Sequence, residues 1–382
     1  MSKKCIFVRF SVQSFGFALE TPVLNPPHRL SMTEKLLQYL ESHYAPQDYP
    51  VIRAQYNDFQ GRRPFAGLRI LEATPLFFNT IAKFLPLMAG GAEVTLSHIG
   101  GVPYDPAFIE WAEAQGIRIA TNKEEGFDLV SDCIGLHSDL RPKYGFAELT
   151  HSGIGYYADC DKPCFNTDGS RIKRIEGALG TGDGLIRGLQ AFGLGVEPSQ
   201  RWLLFGFGKI GSGVGMRLRA AGVPVEVVEA VAVRGRLENT PVGDFPFVDM
   251  EDPDAVVAAV RRATHIVTAT SVAGVIGRRY PVEPFLEGQV LVNIGAEDEY
   301  GPLFPEQSVL NRKVAVNFAL EEPTHLRYIE TTFALQNAGL EWVLNHPEAR
   351  GIVVPPEPMQ ESLLEIVRRE GAIAGELRLI GL

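Results

Sequence analysis

The sequence predicts an α/β protein of two doubly wound domains, the second inserted into the first. Three observations carry this. Residues 67–150 alternate short apolar runs with helical patterns, as the strands and covering helices of a parallel sheet do. Residues 201–320 repeat that alternation. Between them a long helical pattern, 180–192, runs into GLGVEPSQ, whose glycines and proline have the composition of a hinge. A chain of 382 residues exceeds what one hydrophobic core usually serves, and 45% hydrophobic with 21% charged residues is ordinary for a globular protein.

In chain order, residues 1–66 mix strand-like patches (CIFVRF, PVIRA) with a helical pattern at Thr33–His43. The first alternation follows. LRILEA, AEVTLSHIG, IRIAT and FDLVSD read as strands, with FFNTIAKFLPLMAGG and PAFIEWAEAQG as helices. In the second, RWLLFG, VPVEVVE, THIVTAT, QVLVNIG and KVAVNF read as strands separated by helices. Two helical patterns, IETTFALQNAGLEWVLN and MQESLLEIVRRE, occupy the tail with little strand character and are expected to cross back. The expected division is 1–194 for the first part of a substrate domain, 195–325 for a nucleotide-binding domain, and 326–382 for returning helices.

The net charge of −10 offers no basic field for phosphate backbones, so nucleic acid is not an expected partner. Arg9, Ser11, Gln13 and Ser14 break the apolar run that an export signal needs. The most apolar window, 75–94, is cut by Asn79, Lys83 and Glu93, so no membrane span is expected and the chain reads as cytoplasmic. Cys160 and Cys164 lie close, but no second CxxC or His pair accompanies them, so no metal is expected.

The sharpest local signal is Gly206-Phe-Gly208-Lys209-Ile210-Gly211, set between an apolar strand and a helix. In a Rossmann fingerprint the first glycine permits the tight turn, the second lets backbone approach a pyrophosphate, and the third lets helix and strand pack closely. The helix N-terminus then offers free N–H groups to the phosphates. Glu229 ends the next strand, where an acid accepts ribose hydroxyls. Arg234 and Arg236 could serve a 2′-phosphate, but Glu229 favours NAD over NADP.

The runs PCFNTDGSRIKRIEGALGTGDGLIRGLQAFG, LLFGFGKIGSGVG, THIVTATSVAGVIG and QVLVNIGAEDEYG resemble the adenosylhomocysteinase (S-adenosyl-L-homocysteine hydrolase) family in order and spacing, most clearly over 125–300. The resemblance implies an NAD domain inserted into a substrate domain. It also implies that Thr150 and Ser152 in the turn Glu148–Gly153 reach the cofactor, with Thr270, Asn293 and Gly295 beside it and Asp132 near a ribose. Aligned back from GALGTGDGLIRG, Arg174 stands at the family's catalytic lysine and Glu176 at its catalytic aspartate. Ala296 replaces a histidine, and the family's C-terminal lysine and tyrosine are missing from EIVRREGAIAGELRLIGL.

Arginine stays protonated at any working pH, so Arg174 suits clamping an anion rather than carrying a proton. Acid/base candidates are Glu176, Asp132 and His151, with Lys173, Glu72 and His137 behind them. The expected function is an NAD-dependent oxidoreductase transferring hydride to or from a small anionic hydroxy-acid-like, amino-acid-like or nucleoside-like substrate, as a homo-oligomer. A divergent adenosylhomocysteine hydrolase and a non-enzymatic NAD-binding regulator are the alternatives.

Overall fold

The computed structural model describes residues 30–238 and 244–382, so the CIFVRF patch lies outside the described residues. Helix α1 (Met32–His43) starts at Ser31, whose hydroxyl accepts from the Glu34 N–H while Glu34 reaches back to the Ser31 N–H. PVIRA is not a strand. It opens helix α2 (Pro50–Arg62): Pro50 sits in the first turn, and Val51, Ile52, Gln55, Tyr56 and Phe59 bury one helical face. The buried Glu330 carboxyl group completes that start, its Oε2 accepting from the Ile52 N–H at 3.0 Å.

The first sheet is built from β1 (Arg69–Glu72), α3 (Ile81–Ala89), β2 (Glu93–Ser97), α4 (Pro106–Gln115), β3 (Arg118–Ala120) and β4 (Leu129–Asp132). It continues through β5 (Gly145–Glu148), the short α5 (His151–Ile154) and β6 (Pro163–Asn166). A π-helical segment, Ile175–Gly180, leads into α6 (Thr181–Ala191).

The second sheet follows with β7 (Trp202–Phe205), α7 (Lys209–Ala220), β8 (Val225–Glu229), α8 (Arg234–Glu238), β9 (Phe247–Asp249) and α9 (Pro253–Arg262). It closes with β10 (His265–Thr268), α10 (Val275–Arg279) and β11 (Val290–Asn293). KVAVNF, expected as a strand, instead ends in a 3-10 turn at Val316–Ala319. Its alternation is real, with Val314 exposed and Val316 buried, but no strand pairs with it among the described residues.

The chain then returns to the first sheet. Helix α11 (Leu326–Asn345) packs on β4, β5 and β6, and Gln336 donates to the carbonyls of Asp132 and Ala147. The tail is not purely helical: β12 (Gly351–Val353) pairs with β6 before α12 (Glu357–Glu370). Both sheets are parallel throughout. Their orders are β12-β6-β5-β4-β1-β2-β3 and β11-β10-β7-β8-β9. Each reverses winding once, at β1/β4 and at β7/β10, and in such sheets the crevice beyond the carboxyl ends at that point is where ligands lie.

No helix among the described residues is long and apolar enough to cross a membrane. Under the first sheet, Lys83 is wholly buried. Its ammonium donates to Glu72 (2.9 Å), Ser131 (3.0 Å) and Asn337 (2.6 Å), tying α3 to β1, β4 and α11. Glu72 is thereby a core ion-pair partner, not an acid/base group of a cleft.

Candidate functional site

The carboxyl ends of the two sheets face one cleft. On the second sheet, Gly206 follows β7 with φ +90°, and a Cβ there would meet the Ala269 carbonyl oxygen at 2.5 Å. A Cβ on Gly211 would stand 2.1 Å from the Gly206 oxygen, so α7 starts hard against the turn. Around Gly208 the opposite holds: nothing lies within 4 Å of a Cβ position, leaving an open cradle at the helix N-terminus that a side chain would fill. The first N–H groups of an α-helix have no partner inside it. This is the donor set and the space that a dinucleotide pyrophosphate requires.

Glu229 is pinned at the end of β8, accepting from the N–H groups of Phe207 (2.9 Å) and Ala230 (2.8 Å). It lines the cleft with Arg236, whose guanidinium reaches the Phe207 carbonyl at 3.4 Å, while Arg234 lies over the Phe247 ring. Beyond β10, Thr270 lines the cleft because the buried Glu299 carboxylate draws in the N–H groups of Thr270 (2.8 Å) and Ser271 (2.7 Å). Burial pushes Glu299 above the ordinary carboxylate range, against those hydrogen bonds.

On the first sheet, Asp132 and Glu148 end adjacent strands, both fully buried. Asp132 accepts from the N–H groups of Cys133 and His137 and from the Tyr157 hydroxyl. Burial, and then the neighbouring Glu148, push Asp132 up to about 7. Glu148 accepts from the N–H groups of Ile134, Gly135 and Thr150 and from the Thr150 hydroxyl. These two acids shape the loops that carry Ile134, Thr150 and Ser152 to the cleft wall.

On this rim the buried Lys173 pairs with the half-buried Glu176, its ammonium 2.8 Å from both carboxylate oxygens. Lys173 precedes the π-helical segment and Glu176 lies in its first turn. Burial alone would lower the ammonium's pKa, but Glu176, with Asp168 and Cys133 beyond, outweighs it and holds Lys173 above its ordinary value. Asp168 also spans the cleft, accepting from Lys209 of α7 at 2.6 Å, with the exposed His151 ring 3.6 Å away.

The cleft has two chambers. One, of about 880 Å³, runs along the glycine turn from Glu229 to Lys173. The other, of about 560 Å³, penetrates the first sheet's carboxyl rim. Lys173, Glu176, Thr150, Ser152 and Ile210 border both.

No family model matches the sequence. Over 284 residues it is 26% identical to the adenosylhomocysteinase of Thermococcus kodakarensis, covering 65% of this chain and 64% of that one. Over 399 aligned positions it is 24% identical to the adenosylhomocysteinase of Thermosynechococcus vestitus, covering 89% and 90%. The chain is adenosylhomocysteinase-like. Its match spans just under two thirds of the length of the Thermococcus relative. Among solved structures, a dipicolinate synthase component from Bacillus halodurans aligns at TM-score 0.45 (11% identity, 73% of this chain and 98% of that one). The transhydrogenase from Sinorhizobium meliloti aligns at 0.42 (13% identity, 75% and 97%).

In this adenosylhomocysteinase-like chain four sequence expectations need correction. Arg174 does not face the cleft; it is exposed, with Nη1 3.7 Å from where a Cβ would stand on Gly381. Lys173, one residue earlier, stands at the cleft instead. Asp132 is sealed beneath the rim with its carboxylate oxygens already engaged, so it organises loops rather than meeting a ligand. His137 is buried against Ser97, and burial drives it down to about 4.

Asn293 and Gly295 do not line the cleft either. Asn293 donates to the carbonyls of Glu297 and Lys313 and accepts from Thr268 and Gly295, fixing the loop that presents Ile294, Ala296 and Glu297. Asp168 and Glu299 were not anticipated. The signal for Glu299 was there, in an acid three residues beyond Ala296, inside an acidic run that reads as a solvated face.

Proposed function

We propose that the chain is an NAD-dependent oxidoreductase in which the Lys173–Glu176 pair handles the proton of a substrate hydroxyl or carbonyl. The observation that carries this reading is the position of the pair, a buried lysine held by a half-buried glutamate at the border between a dinucleotide-shaped cradle and a second chamber. NAD, when bound, accepts or returns the hydride. The chain's own residues do the rest.

The open cradle at Gly208 and the N-terminus of α7 take the pyrophosphate, and Glu229 takes the adenosine ribose. Thr150 and Ser152 bring the opposite wall to the cofactor. In the reducing direction the Lys173 ammonium gives a proton to the substrate's carbonyl oxygen as the carbonyl carbon receives the hydride, yielding an alcohol. In the oxidising direction the same atoms run backwards, the amine taking the hydroxyl proton. Glu176 holds the ammonium charged and aimed.

Purified protein should retain or bind NAD by mass spectrometry and calorimetry, and turnover should be read at 340 nm. Lys173→Met should lower kcat about 10²–10⁴-fold with NAD affinity unchanged. Unaltered kcat would remove Lys173 from the chemistry.

One observation favours a second reading, adenosylhomocysteine hydrolysis. A lysine does stand beside the acid that matches the family's catalytic aspartate, although it is Lys173 rather than the aligned Arg174. Ala296 still leaves the family's histidine position empty of a base. Homocysteine release from adenosylhomocysteine by the NAD-loaded protein would decide for the hydrolase.

A further inference from the structure

We infer that the second chamber receives a neutral, largely apolar alcohol or ketone, and neither an anion nor a purine nucleoside. The inference rests on the oxidoreductase reading for the reacting group and on the chamber walls for everything else. Phe77 follows β1, Val102 follows β2 and Leu149 follows β5; Phe318, Ile329 and Phe333 close the far side. The rim continues the same character. Tyr156 and Val314 line the entrance while 69% and 52% exposed, a surface that repels water from the path in rather than holding it.

Charge argues in the same direction. Of the chamber's lining residues the charged ones are Lys173, Glu176 and Glu297. Lys173 is committed to both oxygens of Glu176, and Glu297 is an exposed acid at the mouth. Arg174, the cation expected to grip a carboxylate, is elsewhere. A carboxylate or phosphate entering the chamber would lose its hydration with no free cation in return.

The wall's hydrogen-bonding groups are largely spent on the protein itself. The Asn79 amide donates to the Thr324 carbonyl at 2.9 Å. Thr80 donates to the Pro75 carbonyl and accepts from the Phe77 N–H. Thr150 donates to Glu148. Among the wall's buried side-chain atoms in the described residues the exception is Asn317, nine-tenths buried, whose Oδ1 has no partner; the hydroxyls of Ser152 and Tyr156 lie at the exposed rim. A purine edge needs several donors and acceptors together, whereas an apolar ring system with one oxygen at Lys173 and one hydroxyl or N–H for Asn317 leaves little unmatched.

The test is calorimetric titration of the NAD-loaded protein with 1-indanol, 1-tetralol and cyclohexanol, against mandelate and adenosine. At least one neutral alcohol should bind saturably and at least tenfold tighter than either mandelate or adenosine. Val102→Arg, which places a cation in the wall, should reverse the order of alcohol and mandelate. If that variant does not fold, the wild-type ranking still decides. Mandelate or adenosine binding as tightly as the best alcohol, or no alcohol binding at all, overturns the inference. Should the chain take up no NAD, the oxidoreductase reading fails by itself, and the same titration of the cofactor-free chain still ranks the ligands of the chamber.

Discussion

Lys83→Met should be among the most destabilising substitutions in the first sheet, although no ligand is near. The methionine roughly conserves the volume of the stem, so the effect isolates the charge. Three acceptors lose their donor: Glu72 at 2.9 Å, Ser131 at 3.0 Å and Asn337 at 2.6 Å, all buried. Among the described residues Glu72 keeps only the Thr74 N–H, at 3.0 Å. Removing one partner of a buried ion pair costs about 3–5 kcal/mol, because the other charge is left uncompensated. At about 2–4 °C per kcal/mol for a domain of this size, the melting temperature should fall by about 6–20 °C. Urea unfolding followed by circular dichroism gives the free energy directly. Lys83→Met with Glu72→Gln, which removes the orphaned charge but keeps an acceptor for Thr74, should recover at least half the loss. A single variant within 1 kcal/mol of the parent, or a double variant no better than the single, would refute the account.

Other outcomes follow from the cleft and the core. A Cβ on Gly208 meets no neighbour within 4 Å, so Gly208→Val should still fold, losing about 1 kcal/mol because valine is a poorer N-cap for α7, while NAD affinity collapses; tight NAD binding by the folded variant would move the pyrophosphate elsewhere. Glu229→Ala should raise the NADP-to-NAD affinity ratio, because a carboxylate that repels a 2′-phosphate is gone while Arg236 stays; an unchanged ratio in competition titrations would take Glu229 out of cofactor choice. Glu330, driven by burial up to about 8, is more readily ionised once unfolded, so its stabilisation is complete below pH 4.5 and declines as pH rises through 8. Melting temperatures of Glu330→Gln should consequently vary less between pH 5 and pH 9 than those of the parent. For Lys173, whose pKa the carboxylates raise, carbonyl reduction should stay flat across neutral pH and fall only in strong alkali; Glu176→Gln leaves burial dominant and should bring that fall to lower pH.

Much of this architecture was legible because the strands carry it in their composition. LRILEA, FDLVSD, RWLLFG and QVLVNIG are apolar runs too short for helices, and all became parallel strands. PVIRA misled because β-branched Val51 and Ile52 mimic a strand, while the partners that make the segment helical, Glu330 among them, lie some 280 residues away. In the site, the glycine turn and Glu229 were readable since local geometry alone demands them.

Arg174 was misjudged because two neighbouring cations look alike in sequence, and only the folded backbone turns Lys173 inward to the cleft while leaving Arg174 exposed. The chamber walls were unreadable for a different reason. Phe77, Val102, Leu149 and Phe333 come from four separate parts of the chain, and only the winding of the sheet assembles them.

The ion pair between Lys209 and Asp168 bridges the two halves at the very helix end where a diphosphate would settle. A cation placed there answers to two masters, the aspartate of one half and the anion arriving in the other. Each occupant weakens the hold of its rival, so filling one half is felt in the other as a loosened Asp168 beside His151. By thermodynamic reciprocity, whatever then steadies Asp168 must alter the grip on the diphosphate by the same factor. The grip on the diphosphate and the tie between the two halves thus draw on a single shared charge.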